Sequence, residues 1–336
     1  MKAIRVGVVG LGVMGRQHLR VLSELSEFEL VAVADPRIGE IGESVGGRNQ
    51  FVNRGDPVDL LNDGLDAVVI ASPTSCHVAQ AELFLREGIH VLVEKPIAVD
   101  VTSAKKLVKV ADECGLTLLV GHIERFNPAV DTLRTLLAEG YLGRVLSMSA
   151  RRIGVARPAT PSTNVITDLG IHDIDVIQML TGVQPTVLGA IGGALPGNVF
   201  EDFAFILLSY GDVAAAVEAN WITPLKSRRL SVTGTGGFAD LDYVRQEVTV
   251  YEARVDPVEG ESASFSAIWQ TAEPRSLAVK QGEPLRRELT HFANCIRGKS
   301  SPDVPVDEVI ASLAACQDAT DHIREAASKI VEVSNG

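Results

Sequence analysis

Cysteine is scarce in this chain. Cys76, Cys114, Cys295 and Cys316 stand among 336 residues, and no two form a CxxC pair. Thiols so few and scattered exclude a disulfide-framed scaffold and point to a reducing compartment, the cytoplasm. Positive charge is also short. Lys and Arg number 31 against 43 Asp and Glu, a net charge of −12. That balance argues against nucleic acid or an anionic membrane surface as the main partner, while leaving room for a local basic pocket. No apolar run reaches the roughly 18 residues of a membrane span, so no membrane partner is expected. Met1-Lys2-Ala3-Ile4-Arg5-Val6 leads into a strand pattern without the apolar core of a signal peptide. What is present, 46% hydrophobic and 22% charged residues, is the balance of a globular protein with a sizeable core. At about 150 residues per domain the length suggests two domains.

The first 121 residues alternate strand and helix. Short apolar runs at 4–9, 29–34, 66–71, 89–93 and 117–120 read as strands, with a helix over 13–25. Ala104, Leu107, Val108 and Ala111 lie at i, i+3, i+4, i+7 of another helix. Strands apolar on both faces, separated by amphipathic helices, imply a parallel sheet covered on both sides. From residue 122 to 336 the rhythm changes. Helices are expected over 128–139 and 168–180, then strands at 186–191, 203–210, 213–219, 229–233 and 248–251, a loop-rich stretch over 255–283, and a last helix from about Val306. Consecutive strands with turn signals such as Tyr210-Gly211-Asp212 imply a largely antiparallel sheet. The expected fold is α/β, a doubly wound parallel sheet over 1–121 followed by an α+β domain over 122–336.

Gly10-Leu11-Gly12-Val13-Met14-Gly15 forms a GxGxxG between the first strand and the first helix. In that context Gly10 makes the tight turn, Gly12 admits a pyrophosphate to the backbone, and Gly15 lets helix and strand pack closely. The amides that open the helix, around Val13 and Met14, then face the phosphates. Asp35 ends the second strand, 20 residues after Gly15. A carboxylate there accepts from the ribose hydroxyls and repels a 2′-phosphate, so NAD is the expected cofactor. Arg37 nearby keeps NADP possible.

Val91-Leu92-Val93-Glu94-Lys95-Pro96 puts a charged pair at the C-terminal end of a buried strand, the edge where open parallel sheets bind ligands. An aimed lysine beside a nicotinamide suits hydride transfer, although a surface Glu-Lys pair explains the spacing equally well. With these motifs, and with Ser72-Pro73-Thr74, His77, Asp168 and His172, the chain resembles the glucose–fructose oxidoreductase, inositol dehydrogenase and MocA family over nearly its whole length. The resemblance implies a catalytic or substrate-orienting role for Lys95. It puts Ser72, Pro73, Thr74, His77 and Glu94 on the cofactor side. It also implies homodimers or homotetramers formed through the open sheet of the second domain.

Asp168, His172 and Asp175 recur at i, i+4, i+7 and are expected on one helical face. The resemblance makes Asp168 and His172 substrate-binding and acid/base residues, and an imidazole titrates near neutral pH. A capping Asp168 on a solvated face is the bland alternative, and a metal site finds no other clear ligands. The family's members often carry glycines before this aspartate, where Val165, Ile166 and Thr167 stand here. For the substrate, His122, Arg125 and Asn127 follow the last parallel strand, and Lys226, Arg228 and Arg229 follow Trp221. Arg125 and Lys226 are the candidate contacts to an anionic group, with carboxylate pairing and a solvated basic loop as their alternatives. These segments look most like the UDP-N-acetylglucosamine 3-dehydrogenase branch. The expected activity is NAD-dependent oxidation of a sugar or nucleotide-sugar hydroxyl. The alternatives are an inositol or free-sugar dehydrogenase and a catalytically silent dinucleotide sensor. The intact Lys95, Asp168 and His172 argue against the sensor.

Overall fold

The structure is a computed structural model and describes residues 2–38, 51–155, 163–256, 268–271 and 273–334. Contacts divide the chain into two compact units, Met1–Phe126 with Glu283–Ala314, and Asn127–Gly282 with Ala315–Gly336.

The first unit runs β1 (Ile4–Val9), α1 (Val13–Glu24), β2 (Phe28–Ala34), β3 (Val52–Arg54), β4 (Ala67–Ile70), α2 (Thr74–Arg86), β5 (His90–Glu94), α3 (Val101–Cys114) and β6 (Leu118–Gly121). The strands form one sheet in the order β3-β2-β1-β4-β5-β6, every pair parallel. The order reverses beside β1, so the crevice at its C-terminal end is the expected ligand site. Val68, Val69, Ile70, Val91, Leu92 and Val93 are completely buried, because helices cover both faces of the sheet.

The second unit starts with α4 (Pro128–Ala138) and β7 (Val145–Ile153), then a π-helical turn, Ile166–Gly170, that runs into α5 (Ile171–Thr181). There follow β8 (Thr186–Gly193), β9 (Phe203–Tyr210), β10 (Val213–Asn220), β11 (Ser227–Gly234), β12 (Gly237–Asp242), β13 (Glu247–Asp256), β14 (Ile268–Thr271) and β15 (Arg275–Leu277). These strands form a nine-stranded sheet, β14-β13-β12-β11-β7-β10-β9-β8 with β15 on β13. β7 and β10 run parallel, and the other described pairs are antiparallel. Its buried face shares a core with residues of α4, α5 and the chain's last helix, α7 (Val306–Ser334).

The division at residue 121 differs from the observed units in two respects. The first unit ends at Phe126 and also takes back Glu283–Ala314. The cause is α6 (Pro284–Ile296), whose Leu285, Leu289, Phe292 and Ala293 are buried in the core of the parallel sheet. Arg20 and Arg286 add ion pairs to Glu283 and Glu24. The stretch expected to be loop-rich contains the end of β13, β14 and β15, while residues 257–267 and 272 lie outside the described residues.

Candidate active site

The glycine turn is built by close backbone approach. Gly10 has φ +86°, and a Cβ there would stand 2.7 Å from the Ala71 carbonyl. A Cβ on Gly15 would lie 1.8 Å from the Gly10 oxygen, whereas one on Gly12 meets nothing within 4 Å. Gly12 is the N-cap of α1 and brings no side-chain bond to the helix end. The first-turn amides are therefore open to an outside acceptor, and Val13 beside them is 74% exposed. Asp35 is buried at the end of β2. Its Oδ2 accepts from the Leu11 amide at 2.8 Å and its Oδ1 from the Arg37 amide at 2.8 Å. The carboxylate is thus fastened to the turn itself. The Arg37 guanidinium stands 3.6 Å from it on a side chain 62% exposed. Open amides, room at Gly12 and a fixed acid fit a dinucleotide.

The next ligand-facing turn joins β4 to α2. Pro73 caps α2 and Thr74 begins it. The Ser72 hydroxyl donates to Gln80 Oε1 at 2.6 Å. His77 is buried, with Nδ1 2.8 Å from the Pro96 carbonyl and Nε2 2.8 Å from the Ser72 carbonyl. It ties this turn to the one after β5. Burial lowers the His77 pKa, against the two carbonyls and Glu94, which raise it. A neutral ring bonds one carbonyl at a time, through whichever nitrogen carries the proton.

Glu94, the last residue of β5, is buried. Its Oε1 lies 2.7 Å from His18 Nε2 of α1, and its Oε2 accepts from the Lys95 amide at 3.2 Å. Lys95 is half-buried and precedes Pro96 through a cis peptide. Glu288 of α6 is fully buried, and neither carboxyl oxygen has a partner among the described residues. Burial first, then the charge of Glu94, pushes its pKa well above the carboxylate range.

In the second unit the helix start departs from the expected α-helical spacing. Asp168 sits in the π turn, and only from Ile171 does the backbone turn as an α-helix. His172 and Asp175 keep one face, but the angular step from Asp168 to His172 is not the α-helical one. Asp168 is not the cap either. Asn164 takes that place, accepting from the Thr167 amide at 3.0 Å while donating to Thr320 at 2.9 Å. His172, Asp173 and Asp175 are buried. Asp173 holds a bidentate pair with the buried Arg152 of β7, at 2.7 and 3.1 Å, and the guanidinium lies 4.7 Å from the Tyr243 ring centroid.

The two substrate candidates part company. Arg125 is buried in the first unit, 2.6 Å from Glu308 Oε2, and donates to the Asp303 carbonyl at 3.1 Å. Lys226 is exposed in the turn between β10 and β11. Its neighbour Arg229 pairs with Asp240 at 2.5 Å and with Asp242 at 3.5 Å. His18, Arg152 and Asp173 escaped the sequence reading, because a buried partner many residues away leaves no local pattern.

Residues 4–122 match the family model described as an oxidoreductase family with an NAD-binding Rossmann fold, and residues 130–240 match the GFO/IDH/MocA C-terminal domain. UDP-N-acetylglucosamine 3-dehydrogenase of Acidithiobacillus ferrooxidans is 32% identical over 259 residues, 76% of this chain and 80% of that protein. A solved structure of UDP-N-acetylglucosamine 3-dehydrogenase from that organism superposes with a TM-score of 0.82 at 26% identity, covering 96% of this chain and 98% of the other. The scyllo-inositol 2-dehydrogenase (NAD(+)) of Bacillus subtilis is 28% identical over 90% of this chain and 88% of its own. With both halves matched and the dinucleotide turn in place, the chain belongs to the glucose–fructose oxidoreductase, inositol dehydrogenase and MocA family of NAD(P)-dependent dehydrogenases acting on CH–OH groups.

Proposed function

We propose that this dehydrogenase oxidises a secondary alcohol of a nucleotide sugar such as UDP-N-acetylglucosamine, at the 3-hydroxyl. The observation that carries the reading is the Glu94-Lys95-Pro96 turn, at the C-terminal end of β5 in the sheet whose β1 ends in the glycine turn. The likeness to UDP-N-acetylglucosamine 3-dehydrogenase supports the sugar. The glycine turn and Asp35 would hold NAD, which would supply the hydride acceptor. Lys95 holds the alcohol oxygen and offsets the negative charge that develops there. A ring nitrogen of His172 takes the hydroxyl proton, and Asp168 orients His172 or a neighbouring hydroxyl. The carbinol carbon gives up its hydrogen with the electron pair, the O–H pair becomes the second bond of the carbonyl, and the sugar is oxidised by two electrons.

Lys226 is the candidate for the diphosphate of such a substrate, since Arg125 is committed to Glu308. The longer coverage by scyllo-inositol 2-dehydrogenase favours inositol or a free sugar as the second reading. The open sheet face, with Phe205 46% and Leu207 58% exposed, supports assembly into a homodimer or homotetramer. The free cysteines suit the cytoplasm. Among the described residues no helix is long and apolar enough to cross a membrane.

The test is a panel of UDP-sugars, free sugars and inositols with NAD and NADP, followed by the absorbance of the reduced cofactor. Turnover of UDP-N-acetylglucosamine well above free N-acetylglucosamine is expected. A free sugar or inositol turned over better rejects the nucleotide-sugar reading. Asp35→Ser should narrow or reverse a preference for NAD over NADP.

A further inference from the structure

One buried side chain joins the cofactor turn to the lysine turn. His18 lies on α1, three residues beyond Gly15, and is fully buried. Its Nε2 is 2.7 Å from Glu94 Oε1, while Glu94 Oε2 receives the Lys95 amide. A Cβ at Gly121 would stand 3.1 Å from Glu94 Oε2, so the neighbouring strand end leaves room for the carboxylate and little else. His18 Nδ1 is buried with no partner among the described residues. That fits a neutral ring with its proton on Nε2, because an imidazolium would bury an unsatisfied N–H. The N–H of His18 is then donated to a charged Glu94.

We propose that His18 is a positioning residue for Lys95. By donating to Glu94 it fixes the Glu-Lys-Pro turn and keeps a buried negative charge beside the lysine. The proposal rests on the reading of Lys95 as the residue that holds the substrate oxygen.

Two carboxyl groups of the same unit show what the donor does. Burial alone would push Glu94 up, yet the His18 hydrogen bond, with the charge of Lys95, holds it below its ordinary value. Glu288, fully buried and with no donor among the described residues, is pushed well above its ordinary value. Without the His18 N–H, Glu94 moves toward the state of Glu288, and Lys95 loses an anionic neighbour and a fixed backbone.

The test compares His18→Leu, His18→Gln, Glu94→Gln and Lys95→Ala in the full chain. Gln carries an N–H near the position of Nε2 and does not titrate. Two properties are read: kcat and KM for the best substrate of the panel, and the rate at which acetic anhydride labels Lys95 in the cofactor-free protein, by peptide mass spectrometry. Loss of one charge-assisted bond predicts a kcat lower by about tenfold or more in His18→Leu, with KM changed less than about threefold. Lys95 labelling should rise about threefold or more in His18→Leu and Glu94→Gln, and His18→Gln should restore both properties to within about threefold of wild type. Wild-type kcat and labelling in His18→Leu overturn the proposal, as do equal losses in His18→Leu and His18→Gln. If His18→Leu does not fold, unchanged labelling in Glu94→Gln overturns it and raised labelling supports it. A fully active Lys95→Ala instead rejects the reading of Lys95, whereas an inactive Lys95→Ala beside a normal His18→Leu rejects this proposal alone.

Discussion

The two sheets use the same apolar residue types under opposite rules. In the parallel sheet successive residues of a strand can all be interior, as with Leu118, Leu119 and Val120 of β6. In β9 of the second sheet Ala204, Ile206, Leu208 and Tyr210 are buried while Phe205 and Leu207 between them are exposed. A sheet covered on both faces has no strand position to spare for chemistry. Its candidate residues, Gly10 to Gly15, Asp35, Ser72 and Lys95, accordingly stand at or just beyond strand ends. The second sheet does carry a polar side chain within a strand, on its buried face: Arg152 of β7 is interior and reaches Asp173 beside His172.

The largest effect expected from breaking this contrast is at the strand ends. Gly15→Ala forces a Cβ into the Gly10 carbonyl and should abolish measurable NAD binding by calorimetric titration. Gly12→Ala, with nothing near it, should fold with a stability change within about 0.5 kcal/mol and lose affinity by steric exclusion alone. Next comes the polar strand position. Arg152→Met strands the Asp173 carboxylate in the interior and should cost about 3–5 kcal/mol in urea unfolding, while the double variant Arg152→Met with Asp173→Leu recovers most of the loss.

Leucine pairs sharpen the comparison directly. Leu118→Ala and Leu119→Ala should each cost about 2–5 kcal/mol. Across β9 the cost should split, with Leu208→Ala in that range and Leu207→Ala within about 0.5 kcal/mol. Equal costs at Leu207 and Leu208 would show that the free face is covered in solution. The smallest effect is the pH response of Glu288. Its folded pKa is raised, so the unfolded chain releases this proton at lower pH than the folded one. Stability is therefore fully present below the ordinary carboxylate range and falls as pH rises above it. Glu288→Gln removes that slope. Relative to wild type it should melt at a similar temperature near pH 4 and at a higher one near pH 7.

What was legible in the sequence follows the range of the interactions involved. The glycine turn, Asp35 and the Glu-Lys-Pro turn could be read because each is fixed by neighbours within a few residues or by an apolar run. The strand at 203–210 was read residue for residue from its flanking turn. The helix carrying His172 was expected, but not its π turn, since one extra residue per turn leaves no mark on an apolar pattern read at 3.6 spacing. β7 went unread because Ser147, Ser149, Arg151 and Arg152 make it look polar. Arg152 is interior only because Asp173, 21 residues away, meets it. Arg125 shows the same limit, since Glu308 pairs with it from a distant part of the chain.

The first unit draws on two separate stretches of sequence, Met1–Phe126 and Glu283–Ala314, with the second unit's strands encoded between them. Phe292 from the later stretch stacks on Phe28 at a ring distance of 6.5 Å and is completely buried. For anyone recombining genes of this family, the cofactor half is therefore not a cassette. A fragment ending at residue 126 would carry a bare apolar surface where Leu285, Leu289 and Phe292 belong. Exchanging cofactor halves between relatives requires moving both stretches together.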